Sequence, residues 1–438
     1  MKKSVVALLI ILAMVVLISP GIIGRLAEKS VDDNLNRVAA DRDDIVVTST
    51  GFDRGWFTSA GQHRVELREG ELRDMLFAAF DMVETDAFPV LIIDTRLDHG
   101  LIPVSSMARN HGSLLPGLGS AVSTLSIEFA DGTVVDLPGT IFSNVGLAGA
   151  LESNFVLEPD GVDVDGVRLD WGKADFVITA SPANGDIGVS GELGSFAVAS
   201  DGETVIIDTL AVFVDHAATP FGFTVGPAKI TLKSFAVISA ASTTTIGPIF
   251  IDSDSAIDNR RLTANVTFRI ENVPVPDFGA ANMEIVARFE NVDAAGLGQL
   301  RRSLEAMSTA EIADSAMIDI EGDLHRLLAS GLEWHFDQLD VELPLGQSTS
   351  RISAIVSESD AGDFTWASAL LSLDASADIS LPVDLVNILT ETYPDMHAVI
   401  AMGFLRRKGD FYTIQAAFEN GLLTVNGAPM PLPIPGLK

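Results

Sequence analysis

The segment Thr263-Ala264-Asn265-Val266-Thr267-Phe268-Arg269-Ile270 alternates apolar and polar residues, and stretches of the same period recur over most of the chain. Successive residues of a strand point to opposite faces, so a period of two builds a sheet with one apolar and one polar face; a helix needs a period of 3.6. Residues 45–48, 62–67, 90–97, 125–129, 162–171, 176–180, 204–214, 229–238, 261–270 and 283–289 read as such strands. Residues 339–343, 351–356, 367–373 and 411–418 continue the series. Between them stand Asp131-Gly132, Asp160-Gly161, Asp165-Gly166, Asn184-Gly185, Asp201-Gly202 and Asn420-Gly421. Such dipeptides accept the positive φ of hairpin turns, which join neighbouring strands antiparallel. The pattern predicts a mainly β protein with some α, built as a large curved antiparallel meander.

Few helices interrupt it. Leu72, Met75, Leu76 and Ala79 form a stripe within residues 71–82. In residues 293–338, Leu297, Leu300, Leu304 and Met307, and then Met317, Ile320, Leu324, Leu327 and Leu328, recur at three and four residues. Ser308-Thr309-Ala310-Glu311 holds a capping-box pattern that would start a second helix, so a helical hairpin is expected there, covering a sheet face. Pro382 opens a further short helix with Val383, Val386 and Leu389 on one side. The prolines after residue 428 predict an extended tail. The body therefore divides into an N-terminal β region (44–292), the hairpin (293–338) and a C-terminal β region (339–438).

Met1-Lys2-Lys3 precedes an uncharged, largely aliphatic run to Gly24, with Arg25 as the next charge. About 20 such residues in a helix span a hydrocarbon core of roughly 30 Å. The two lysines favour a cytoplasmic N-terminus, which sends the rest of the chain across. A cleaved signal peptide would start in the same way, but Gly21-Ile22-Ile23-Gly24-Arg25-Leu26-Ala27 lacks the small residues of a cleavage site. Residues 1–24 are read as a single-pass anchor. Leu26, Val31, Leu35 and Val38 then recur among charges, extending it over 25–43 as an amphipathic stalk.

The balance of 60 acidic to 28 basic residues gives a formal charge of −32, which disfavours nucleic acid and docking on anionic headgroups alike. With no cysteine, the chain can hold neither a disulfide nor a thiolate metal site. Taken with the anchor, this fits the bacterial inner membrane with the body in the periplasm.

Signatures of chemistry are scarce. The sequence has no phosphate-binding G-x-x-x-x-G-K-[ST], no G-x-G-x-x-G after a strand, no H-E-x-x-H and no G-x-S-x-G. Its seven histidines include no pair four residues apart on a helix. Asp160, Asp163 and Asp165, and Asp252, Asp254 and Asp258, resemble calcium loops only superficially, since the twelfth position counted from Asp163 is Ala174 and not a bidentate Glu. No cofactor or metal site is expected. Three short segments mix aromatic, charged and glycine residues: Gly51 to Ser59, Asp98 to Pro103, and Val425-Asn426-Gly427. An arginine among aromatics suits stacking and forked hydrogen bonding. Arg54, Trp56, Phe57, His99 and Asn426 are accordingly the binding candidates, against the plainer reading of strands with conformationally special turns.

The anchor followed by Gly24-Arg25-Leu26-Ala27-Glu28, Arg54-Gly55-Trp56-Phe57-Thr58-Ser59, His99-Gly100, Leu339 to Gly346 and Leu423-Thr424-Val425-Asn426-Gly427 resemble, in that order, the YdgA-like family of bacterial envelope proteins of unknown function. The resemblance implies an inner-membrane protein with a large periplasmic body and a homodimer as a partner; it assigns no catalytic residue. Function is then expected to be non-enzymatic: binding or shielding of a lipid or another apolar ligand on the curved sheet. The alternative is recruitment of an envelope partner by the acidic surface or the helical hairpin. A hydrolase built from Asp53, Arg54, Asp98 and His99 is the weaker third reading, and requires those groups to converge.

Overall fold

The computed structural model describes residues 45–54, 58–68, 90–99, 117–129, 132–146, 149–164, 167–181, 184–200, 202–276, 278–309, 314–359, 366–393 and 395–430. The anchor, the stalk and the expected helix over 71–82 lie outside them. Among the described residues, no helix is long and apolar enough to cross a membrane. The chain is mainly β and antiparallel, with few helices. It forms two compact units, one of residues up to Ala217 with Thr231–Thr244, the other of Ala218–Ile230 with residues from Thr245 onward.

The first unit opens with β1 (Ile45–Arg54), β2 (Thr58–Leu67), β3 (Val90–His99), β4 (Gly117–Glu128), β5 (Val134–Gly146) and β6 (Leu151–Leu157), each paired with the next. A hairpin of β7 (Asp160–Val164) and β8 (Val167–Trp171) follows. β9 (Ala174–Ser181) returns beside β6, and β10 (Asp186–Leu193) beside β9. β11 (Phe196–Ser200) pairs with β8, and β12 (Glu203–Ala218) with both β10 and β11. The stretch 162–171, expected as one strand, is thus two, and Asp160-Gly161 lies inside β7 instead of turning the chain. Asn184-Gly185 and Asp201-Gly202 do precede new strands, with Gly185 and Gly202 at φ 78° and 82°.

Alternation held in register builds this unit's core. Val47 faces Val65, Val65 faces Leu91 and Leu91 faces Ile127, all buried. A later row carries Ile141, Phe155 and Phe176, with the last two rings stacked at 6.4 Å. Burying each such side chain contributes about 1.5–3 kcal/mol. Between these rows lies His63, opposite Ile93, 5% exposed and with no hydrogen-bond partner for Nδ1 among the described residues. Burial pushes its pKa below 6.5, offset in part by the Asp94 carboxylate.

β13 (Thr224–Val225) belongs to the second unit, most of β14 (Ala228–Ile238) to the first, and β15 (Thr243–Ile246) leads into the long ladder of the second unit. β16 (Ile249–Asp258), β17 (Arg261–Val275), β18 (Gly279–Asp293), β19 (Leu332–Leu343), β20 (Gly346–Val356) and β21 (Leu373–Pro382) pair in order. β22 (Arg406–Lys408) and β23 (Phe411–Glu419) then form a hairpin, with β23 also beside β21. β24 (Leu422–Val425) and β25 (Ala428–Met430) complete the order. Among the described residues the helices are α1 (Ala294–Thr309), α2 (Asp314–Ala329), α3 (Trp366–Leu371), α4 (Val383–Thr392) and α5 (Met396–Ala401).

Asp293 caps α1 through a 2.7 Å bond that its carboxylate accepts from the Gly296 N–H. Ser303 on α1 and Arg326 both donate to the buried carboxylate of Asp323 on α2, tying the hairpin together. Burial alone would raise the Asp323 pKa; these donors hold it below the ordinary value. Leu262, Val292 and Leu327 form the core beneath the hairpin. Three boundaries depart from the sequence reading. Ser308 and Thr309 close α1, while α2 begins at Asp314. The helical block ends at Ala329, because Gly331 takes φ 82° and the alternating Leu332-Glu333-Trp334-His335-Phe336 enters β19. Residues 367–373 are mostly helix, since Ala367, Ala369, Leu370 and Leu371 are strong helix formers and alternation starts only at Leu373.

Two outcomes are expected. The folded state keeps His63 neutral where the unfolded chain protonates near 6.5, so stability present above that pH is lost as pH falls below it. Thermal melts should show a midpoint falling between pH 7.5 and 5.5, with a shallower fall in His63→Leu. Gly298 would place a Cβ 2.3 Å from the Phe221 carbonyl oxygen. Gly298→Ala, which stabilises an open helix by about 1 kcal/mol, should here lower the urea midpoint.

Candidate functional site

The paired strands of the second unit carry apolar residues in continuous rows. One row runs Ile251, Phe268, Ile285, Leu339, Ser350, Ile379 and Ile414 across β16 to β23. The next runs Ser253, Val266, Ala287, Phe336, Ile352, Ala377, Ala416 and Val425, reaching β24. A third includes Phe289 and Trp334, whose rings stack at 6.2 Å and 8°, with Trp334 edge-on to Phe336 at 4.9 Å. Directly opposed residues share a face, so these rows form one apolar surface.

That surface is only half-buried. Phe268, Ile285, Phe336, Leu339 and Ile352 are all of intermediate exposure, while Phe289 and Trp334 are 36% and 37% exposed. In the first unit, by contrast, Phe155 and Phe176 are 2% and 1% exposed. The helical hairpin covers the end of the rows at Leu262, Val292 and Leu332. Register shifts interrupt the β17–β18, β18–β19 and β19–β20 ladders, and bulges of this kind add twist and bend to a strand.

The opposite face is polar. Arg269 pairs with Glu284 at 2.7 Å, Arg288 with Glu290 at 2.9 Å and Asp337 at 3.2 Å, and Lys229 with Asp252 at 2.9 Å. Gln338 donates to Glu284 and Asp340. Asp252, Asp254 and Asp258 alternate along β16 as exposed residues, in keeping with a solvated strand face. A cleft of about 360 Å³ includes Asp340, Arg351, Asp378 and Thr413 in its lining but no histidine. Glu290, Glu333 and His335 could bring one ligand atom each to within 4.8 Å of one another. The Arg288 guanidinium already bonds Glu290 there, which supplies the positive charge that this acid pair needs.

The sequence candidates are spread out. Arg54 ends β1 opposite Ser59, and His99 ends β3 opposite Gly119, so β2 separates them by roughly 10 Å of sheet. Trp56 and Phe57 lie outside the described residues. Asp98 is 6% exposed and pairs by register with Ser120, which is 1% exposed. Neither Asp98 Oδ1 nor Ser120 Oγ has a hydrogen-bond partner among the described residues, and Arg96 Nε stands 3.9 Å from the former. Asn426 adopts φ 50° in the β24–β25 turn. Its Nδ2 donates to the Gly403 and Phe404 carbonyls at 2.8 and 2.9 Å, and its Oδ1 accepts from the Gln415 N–H at 2.9 Å. This side chain binds three backbone groups of its own protein.

Sequence reasoning expected an apolar ligand on the curved sheet but named none of these residues, because alternation gives the residues that share a face and not what covers them. No curated protein and no solved structure matches the chain. Residues 1–433 match the family described as bacterial protein of unknown function (DUF945), and the chain belongs to that family.

Proposed function

We propose that this protein is a non-enzymatic envelope protein, held in the bacterial inner membrane by residues 1–24, that binds lipid acyl chains on the apolar face of its second unit. The resemblance to the YdgA-like proteins and the uncharged run before Arg25 support the anchor and the periplasmic body. One observation carries the ligand: uncharged, mainly apolar rows continue across seven and eight strands, and among the described residues no layer buries Phe268, Ile285, Phe336, Leu339 and Ile352 at their centre. An apolar surface of that extent on a soluble body marks an interaction site.

The dimensions fit. Eight strands about 4.8 Å apart span roughly 34 Å, and one acyl chain occupies about half of a 30 Å hydrocarbon core. Each methylene removed from water contributes about 0.8 kcal/mol, so ten of them contribute about 8 kcal/mol before ordering costs. A neutral apolar cargo also suits rows that carry no charged residue from β16 to β24.

Purification of the full chain in mild detergent, followed by lipid mass spectrometry, should recover phospholipid with the wild type. The double variant Phe336→Glu, Ile352→Glu should lose most of it while keeping its fold by circular dichroism. A wild-type body free of lipid, or equal lipid on the variant, would contradict the reading.

A further inference from the structure

The edge hairpin of the second unit places three cations in a row. Arg406, Arg407 and Lys408 make up β22, and all three are exposed. None forms an ion pair with another described residue, whereas Lys229, Arg260, Arg261, Arg269, Arg288 and Arg326 in the same unit each meet a carboxylate. Arg407 Nε donates only to the Gly409 carbonyl of its own turn, at 3.3 Å. In a chain of charge −32, such a run is a local reversal of sign. The acid nearest in sequence is Asp410, in the same turn.

Large apolar side chains flank these cations. Phe411 faces Lys408 across the hairpin and is 41% exposed. Met402, in the turn between α5 and β22, is 65% exposed, the highest value among the exposed large apolar residues. The tip that carries them is fixed in place. Leu405 is buried beneath it, Val383 N–H donates to the Asp410 carbonyl, and Asn426 holds the Gly403 and Phe404 carbonyls. Charges on an edge strand also prevent sheet-to-sheet aggregation, which explains Arg406 to Lys408 but leaves Met402 and Phe411 without a purpose in water.

Cations beside projecting apolar side chains are what a bilayer surface with anionic headgroups accepts: the charges meet phosphates, and the side chains enter the acyl boundary. We propose that this tip, comprising Met402, Arg406, Arg407, Lys408 and Phe411, docks on the surface of an anionic phospholipid bilayer. Asn426 is then a positioning residue for the Met402 turn. The inference is independent of what the apolar face of the sheet carries, because the tip could dock with that face empty.

The chain lacks cysteine, so Met402→Cys gives a unique site for an environment-sensitive fluorophore. The full chain is reconstituted in phosphatidylcholine nanodiscs and offered vesicles of phosphatidylcholine with or without phosphatidylglycerol. Emission should shift to the blue only with the anionic vesicles, and the shift should weaken with salt. Reversal of the three charges, Arg406→Glu, Arg407→Glu and Lys408→Glu, should lower partitioning by at least a hundredfold, and the Gln versions by roughly a hundredfold. No shift with anionic vesicles, an equal shift with neutral ones, or a shift that survives both sets of substitutions would overturn the proposal.

Discussion

A slip of one residue in the β18–β19 ladder would carry Leu339, Phe336 and Trp334 to the face now held by Arg269, Glu284 and Arg288, and would bring Glu333, His335 and Asp340 in beside Ile285 and Phe268. Register is therefore the constraint on which both units depend. It is pinned at the turns: Asn259 and Arg260 at φ 48° and 70°, Asn420-Gly421 at 52° and 76°, and Asn426-Gly427 at 50° and 79° supply the left-handed backbone of tight hairpins. Once these fix the pairing, alternation sorts apolar from polar residues across every strand.

The same rule has two outcomes. In the first unit the rows close into a core of almost wholly buried Leu, Ile and Phe, dense enough to hold His63 neutral and to pair the Ser143 and Ser153 hydroxyls at 2.9 Å. Among the described residues of the second unit, the helical hairpin that Asp323 ties together seals the end at Leu262 and Val292, and Val386 and Phe418 are buried near the other edge, while Phe268, Ile285, Phe336 and Leu339 between them are not. The rest of the row stays half-open, and that difference, more than any catalytic constellation, is the basis of the lipid-binding proposal.

Much of the fold could be read from periodicity. Residues 261–270 and 283–289 lie within β17 and β18, Pro382 stands at the start of α4, and Glu419-Asn420-Gly421 turns β23 into β24. What escaped had physical causes. β16 was hidden because Asp252, Asp254 and Asp258 on its wet face read as an acid cluster, and α3 was hidden by apolar residues that suit helix and strand alike. The half-open face was not legible, since alternation reports which residues share a face and says nothing of what covers it. Asn426 was visible as a special turn, but its clamp on Gly403 and Phe404 joins segments that only the folded chain brings together. Net charge likewise concealed the Arg406 to Lys408 island, because a sum over the chain averages away a local run.

Photocrosslinking addresses the open face most directly. A benzoylphenylalanine is placed at Phe336, on the apolar rows, or at Arg269, on the charged face, and the protein is irradiated in cells before mass analysis. The account predicts adducts of phospholipid mass at Phe336 and none at Arg269. Equal lipid adducts at both positions, or none at Phe336, would contradict it.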